Sequence, residues 1–204
     1  MATLRRAWHA ISSSPSVIRF PAPADPMRGD LRFVVLADSS HPPATSHGIS
    51  GLLTFLMYRG HAYYISWVSH KQRRVSHSSY AAEVLALAEG DEEVYHLNLV
   101  FEELHIPAVG ALGTDSRTAF DCSTTDHLAR DLRARATVAG IRDNWIAGTH
   151  DIMSVEGKHN MSDAGTKRNY EMWSELHTLM ASGKPPVLPT FQSGNVRGRA
   201  WARL

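Results

Sequence analysis

With 204 residues the chain has room for one ordinary domain plus some flanking sequence, and is too short for two comfortable ones. A hydrophobic share of 43% and a charged share of 20% exclude global disorder and a coiled coil. With 21 basic against 20 acidic residues the net charge is +1, so any nucleic-acid binding must come from local patches rather than from bulk electrostatics. No apolar run approaches the ~20 residues needed to span a bilayer, and Met1 to Arg6 lacks the apolar core of a secretory signal. Cys122 is the only cysteine, which excludes an internal disulfide and a cysteine-rich zinc site. The expectation is an intracellular protein with no membrane contact, in a cytoplasmic particle or the nucleus, the two not being distinguishable.

Residues 1–30 carry Pro15 and a cluster of prolines from Pro21 to Pro26, which break any helix begun at Leu4 and read as a leader or connection. Leu31 to Ala37 is a β-branched apolar run, a buried strand that leads straight into Asp38. Residues 51–58 and 61–68 are two further strands joined by an Arg59-Gly60 hairpin turn. Residues 79–104 read as a long helix, since Val94, Leu97, Phe101 and Leu104 recur at helical spacing; Ser78-Ser79 can cap it, and Gly90 marks a bend or break. A fourth strand over 108–114 ends at Asp115, with a brief helix over 116–122 behind it. A second helical stretch over 128–146, a fifth strand over 151–155 and a short helix from Asn160 complete the pattern. The order suits a mixed α/β sheet with helices packed on its faces. Residues 183–204, rich in proline, glycine and arginine, read as an irregular tail.

Four acids stand at chemically suggestive places: Asp38 at the end of the first strand, Glu83 in the first turn of the long helix, Asp115 after the fourth strand and Asp163 early in the last helix. Each also has a plain structural explanation. Asp38 can end a strand, Asp115 can cap a helix, Glu83 can answer the positive end of the helix dipole, and Asp163 can belong to a cap set up by Asn160. The stretch His70-Lys71-Gln72-Arg73-Arg74, with His77 nearby, is either a solvated loop or a grip on phosphates. Trp67, Tyr63 and Tyr64 can stack on a ligand or fill the core. None of the twelve histidines falls into a convincing metal-ligand spacing.

The sequence around the acids resembles the ribonuclease H domain of copia-type long-terminal-repeat retrotransposons, over roughly residues 31 to 168. The blocks Ile65-Ser66-Trp67, Ser69-His70-Lys71-Gln72, Val75-Ser76 and Ser78-Ser79-Tyr80-Ala81-Ala82-Glu83 are similar to that family's signature around its second acid. Thr114-Asp115-Ser116 resembles the third-acid segment, and Asn160-Met161-Ser162-Asp163-Ala164-Gly165-Thr166-Lys167 the closing motif. Phe33 to Asp38 and Ser50-Gly51 are similar to the first-acid strand and the start of its hairpin partner.

That resemblance implies a ribonuclease H-like fold, a five-stranded mixed sheet flanked by helices. It implies an endonuclease that hydrolyses the RNA strand of an RNA–DNA hybrid during reverse transcription, with Mg2+ as cofactor, two ions, and Mn2+ as a possible substitute. Such ions take hard oxygen ligands and sit about 3.5–4 Å apart. By the same resemblance Asp38 bridges both metals, Asp163 serves the ion on the water side, and Glu83 and Asp115 hold the second ion. Glu83 lies close to the 2′-hydroxyl by which RNA is told from DNA. Lys71, Gln72, Arg73, Arg74, Ser79, Ser116 and Asn160 are the expected nucleic-acid contacts, and a reverse-transcriptase polymerase domain the expected partner. In cellular relatives a histidine before the last acid assists turnover. His150 and His159 bracket that region, and its counterpart here stays unassigned.

Departures accompany the resemblance. Gly165 stands where the family has an apolar residue, a change that costs about 1 kcal/mol of helix stability relative to alanine and predicts a loose last helix. Residues 169–204 match nothing nameable and are expected to form a partly irregular C-terminal extension. No Tyr-x-Asp-Asp polymerase segment is present, so the chain is expected to be a fragment or stand-alone remnant. The alternative to an active nuclease is a catalytically decayed remnant that only binds nucleic acid.

Overall fold

The structure is a computed structural model that describes residues 31–41, 47–127, 129–167, 170–186 and 188. The leader and most of the proline- and arginine-rich tail lie outside the described residues. Five strands, β1 (Leu31–Ser40), β2 (Ile49–Tyr58), β3 (His61–Lys71), β4 (Ala108–Thr114) and β5 (Asp151–Ser154), form one sheet in the order β3-β2-β1-β4-β5. β1 to β3 are antiparallel neighbours, whereas β4 runs parallel to β1 and β5 parallel to β4. The mixed five-stranded sheet expected from the sequence is therefore present. The antiparallel part needs only tight connections, and Arg59 and Gly60, both at positive φ (48° and 76°), form the two-residue turn whose twist matches the flanking strands. The parallel pairs need crossovers, and helices supply them.

β1 is central, and both its faces are covered, which is why Phe33 to Ala37 reads as a continuous apolar run rather than an alternating one. Phe33, Val35 and Ala37 pack with Val84, Leu87 and Val94 of α1 (Ser79–Glu103) and with Val138 and Ile141 of α3 (Leu132–Ile146). Val34 and Leu36 belong to the opposite cluster, with Leu53, Phe55, Met161, Ala164, Met172 and Leu176. The remaining helices are α2 (Arg117–Thr124), the four-residue α4 (Asp163–Thr166) and α5 (Tyr170–Ser182), with a 3-10 turn over Gly157–His159.

Several expectations need correction. α1 is unbroken through Gly90, because the glycine is a packing device: a Cβ there would lie 2.6 Å from Leu112 Cδ1 and 3.5 Å from the Ala37 Cβ. Its absence lets the helix settle closely onto the sheet. α3 begins at Leu132 behind an Asp131 cap, later than the periodicity suggested. The short helix expected from Asn160 is the four-residue α4, and a further helix, α5, lies in the stretch that matched nothing. Its Met172 and Leu176 complete the second core cluster, and the chain beyond it covers the start of edge strand β3. There the Ala62 N–H donates to the Gly183 carbonyl at 2.8 Å and the Tyr64 hydroxyl to the Lys184 carbonyl at 3.3 Å. Tyr63 and Tyr64 are core residues, whereas Trp67 is 58% exposed.

Candidate active site

The four acids arrive from four elements. Asp38 continues the alternation of Val34 and Leu36 and so belongs to the α4 side of β1, almost fully buried at 1% exposure. Asp115 follows the last residue of the parallel neighbour β4. Its bland reading as a helix cap does not hold, because Ser116 is the cap of α2, its hydroxyl accepting from the Ala119 N–H. Asp163 opens α4 and is buried. One carboxylate oxygen from each of Asp38, Asp115 and Asp163 lies within 4.8 Å of the others. Glu83 stands outside that trio yet close enough for its charge to act on Asp38. With Ser78 as the cap of α1, Glu83 is the fifth helical residue, beyond the first turn where the dipole would explain it.

Gly51 makes the approach of α4 possible. It pairs with Asp38 across the β1–β2 ladder, and a Cβ there would lie 2.6 Å from Thr166 Cγ2 and 2.9 Å from the Ser162 carbonyl. The bare backbone lets α4 come down on the sheet. Thr166 then donates a hydrogen bond to Asp38 Oδ2, and Lys167 donates to Asp163 Oδ1 at 2.6 Å with Asp38 Oδ1 at 3.6 Å. Asn160, fully buried, ties the same turn to β1 by donating to the Ala37 carbonyl at 3.3 Å, and accepts from the Ser162 hydroxyl at 2.5 Å.

Packing like charges in a dry pocket has the expected electrostatic result. Burial pushes the Asp38 carboxyl up to about 8, with the charges of Asp163 and Glu83 adding to it and Thr166 and Lys167 opposing. Burial likewise carries Glu83 up to about 7, reinforced by Asp115 and Asp163 and opposed by Ser39 and Lys167. Asp115 is raised by burial and by Asp163. Lys167 is raised too, because its bond to Asp163 and the charges of Asp38, Asp163 and Asp115 outweigh the lowering by burial.

Asp38 Oδ1 and Glu83 Oε2 are buried without a hydrogen-bond partner. Buried carboxylate oxygens left unpaired are costly unless a cation meets them. A donor set made only of oxygens suits a hard divalent ion. The residues therefore fit the metal that the resemblance implies.

The expected nucleic-acid contacts divide. Lys71, Arg73, Arg74 and Ser79 are exposed. β3 carries the first three to the acidic end of the sheet, since Ser39, Ser50 and His70 are in register. Ser116 is half-buried and engaged as a cap. Gln72 and Asn160 do not fit a contact role, because both side chains are buried. Gln72 Nε2 donates to Ser50 Oγ at 3.1 Å and to the Ala82 carbonyl at 2.8 Å, tying the basic loop to β2 and α1. A cavity of about 500 Å³ lies between the basic loop, α1 and α3, lined by His70, Arg73, Arg74, Glu89, Glu92 and Thr137 among others, and none of the four acids lines it. His150 is buried with Nε2 3.0 Å from Asp91 Oδ1, and Asn144 holds the other Asp91 oxygen at 2.8 Å, a brace between α1 and α3.

Thr166 and Lys167 had no role assigned from sequence. The signal was present in their spacing, since three and four residues after Asp163 on a helix is the same face.

No protein-family profile matches the chain, and no curated protein matches it. Solved structures are similar to it in fold at low identity. LC11-RNase H1, isolated from compost by a metagenomic approach, is 11% identical over 63% of this chain and 87% of that one, with a TM-score of 0.48. The same protein in complex with an RNA/DNA hybrid matches at 12% identity over 63% and 88%, TM-score 0.47. RNase H1 of the halophilic archaeon Halobacterium salinarum is 15% identical over 71% and 98%, TM-score 0.45.

Proposed function

We propose that the chain is a ribonuclease H of retrotransposon origin that hydrolyses the RNA strand of RNA–DNA hybrids. The observation that carries this reading is the convergence of Asp38, Asp115 and Asp163 from three separate elements, with Glu83 beside them, at the positions the copia-type motifs mark. Asp38 would be shared between two divalent ions, Asp163 would complete the ligands of one, and Glu83 and Asp115 those of the other. Such ions supply Lewis-acid activation of the phosphodiester and neutralise its developing charge.

The chain's own residues do the rest. Thr166 fixes one oxygen of Asp38, and Asn160 holds the turn that delivers Asp163. Lys71, Arg73 and Arg74 offer exposed cations to the hybrid's phosphates on one side of the acids. Glu83, half-buried beside the cluster, would meet the 2′-hydroxyl, the only group by which the two strands differ at the backbone. A reverse-transcriptase polymerase domain is the partner this origin implies.

The test is incubation of the purified chain with an end-labelled RNA–DNA hybrid in Mg2+, beside duplex DNA, duplex RNA and an EDTA control. Metal-dependent cutting of only the hybrid's RNA strand is expected, with Mn2+ substituting. Binding without cutting under either ion would replace this reading by that of a decayed remnant.

A further inference from the structure

Lys167 has no counterpart among the metal ligands, yet its ammonium stands among them. Nζ lies 2.6 Å from Asp163 Oδ1 and 3.6 Å from Asp38 Oδ1. The first is a charge-assisted hydrogen bond; the second is too long for one, and Asp38 Oδ1 stays buried and unpartnered. The ammonium therefore hydrogen-bonds Asp163 and only stands near Asp38, a compact cation held off-centre between the two side chains.

Its attachment also bears on how it could leave. Lys167 follows the last residue of α4, at i+4 from Asp163, and its side chain is 45% exposed although the two acids are buried. A long lysine stem open to solvent on one side can turn outward by side-chain rotation alone. Asp38 would keep its bond from Thr166 when it does.

We propose that Lys167 is a displaceable internal cation: it holds the place of a divalent ion between Asp38 and Asp163 in the metal-free protein, and metal loading expels it. This deepens the nuclease reading and rests on it, since it requires the acids to be a metal site. Lys167 is thus a positioning residue that supplies a positive charge between Asp38 and Asp163 until the ions arrive, and it sets the metal concentration at which the site loads. A purely structural lysine, holding Asp163 in place for the metal, would have the opposite effect on affinity when removed.

The experiment is titration calorimetry of the purified chain with Mn2+ alone, at low salt and without nucleic acid, comparing wild type, Lys167→Met and Lys167→Arg. Removing a competing unit charge at this distance should tighten Mn2+ binding by several-fold to about tenfold in Lys167→Met. Lys167→Arg, which keeps the charge, should stay near wild type, and the metal-free Lys167→Met chain should melt at a lower temperature than wild type. Mn2+ binding by Lys167→Met that is equal to or weaker than wild type overturns the proposal while leaving the metal site standing. No Mn2+ binding by wild type would overturn both.

The wild-type chain provides an independent measurement if the methionine variant does not fold. Reductive methylation followed by peptide mass spectrometry should label Lys167 slowly in EDTA and several-fold faster in Mg2+. Equal labelling in both conditions would overturn the displacement.

Discussion

Asp38 carries most of the site's electrostatic tension, being the most buried of the acids and the one that Glu83, Asp163 and Lys167 all act upon. Replacing it by Asn keeps the shape and the Thr166 contact but removes the carboxylate proposed above as the shared ligand. Cleavage in a hybrid assay should fall by more than the roughly 10–100-fold that changes outside the ligand shell cost, while the circular dichroism spectrum stays unchanged. The raised carboxyls also dictate a pH dependence. Asp38 at about 8 and Glu83 at about 7 hold protons in the folded, metal-free chain that the unfolded chain has already released. Stability from this source is complete below about pH 4 and is lost as pH rises through about 7 to 8. In EDTA the melting temperature should therefore fall between about pH 5 and pH 8.5, and the stabilisation by Mg2+ should grow over the same range, because the ions must displace those protons. A metal-free melting temperature that rises across this window would contradict the burial of these acids.

At the scale of elements, two glycines in contact across α4 and β2 predict opposite outcomes. Gly51 has backbone and side chain of α4 inside the volume a Cβ would fill, so Gly51→Ala must push α4 off the sheet. It should cost about 1–3 kcal/mol in urea denaturation and lower cleavage with it, since Asp163 and Thr166 move together. Gly165 faces only ordinary contacts, the nearest being Gly51 Cα at 3.5 Å, and its φ is not positive. Gly165→Ala should stabilise the chain by about 0.4–1 kcal/mol, chiefly by restricting the unfolded state. The loose helix foreseen from this glycine is in fact pinned by other means, for the Ser69 hydroxyl donates to the Gly165 carbonyl and Thr166 holds Asp38.

For the whole molecule, the sheet is closed on one face by α1 to α3 and on the other by α4 and α5. α5 seals the second cluster with Met172 and Leu176, and the chain behind it covers the first residues of edge strand β3. Leu176, 4% exposed, should cost about 2–5 kcal/mol on replacement by Ala, read as a drop in urea midpoint at constant slope. The four acids proposed as metal ligands are untouched, so Mn2+ affinity of the folded variant should stay at the wild-type value.

Strand positions, the Arg59-Gly60 turn, the long helix and the four acids were all legible in the sequence. Each rests on local signals: a doubly buried apolar run, a turn needing positive φ, helical spacing behind a serine cap, and motif residues in fixed order. What stayed hidden depends on contacts between residues distant in the chain. Gly90 reads locally as a helix breaker and is a close-packing site only because Leu112 lies beneath it. Gln72 belongs to a basic, polar stretch, yet Ser50 and the Ala82 carbonyl bury it. α5 has no family pattern to announce it, and its apolar face acquires meaning only against β2 and β3. Lys167 looks like one more charged helix residue until folding brings Asp38, 129 positions earlier, within 3.6 Å of its ammonium. The sequence by itself determined which oxygen-donor side chains are on offer to a hard cation, because ligand type is a property of the side chain. Only the tertiary structure decided which of them are dry, paired or strained by like charge, because burial and Coulomb energy depend on distances that local sequence does not contain.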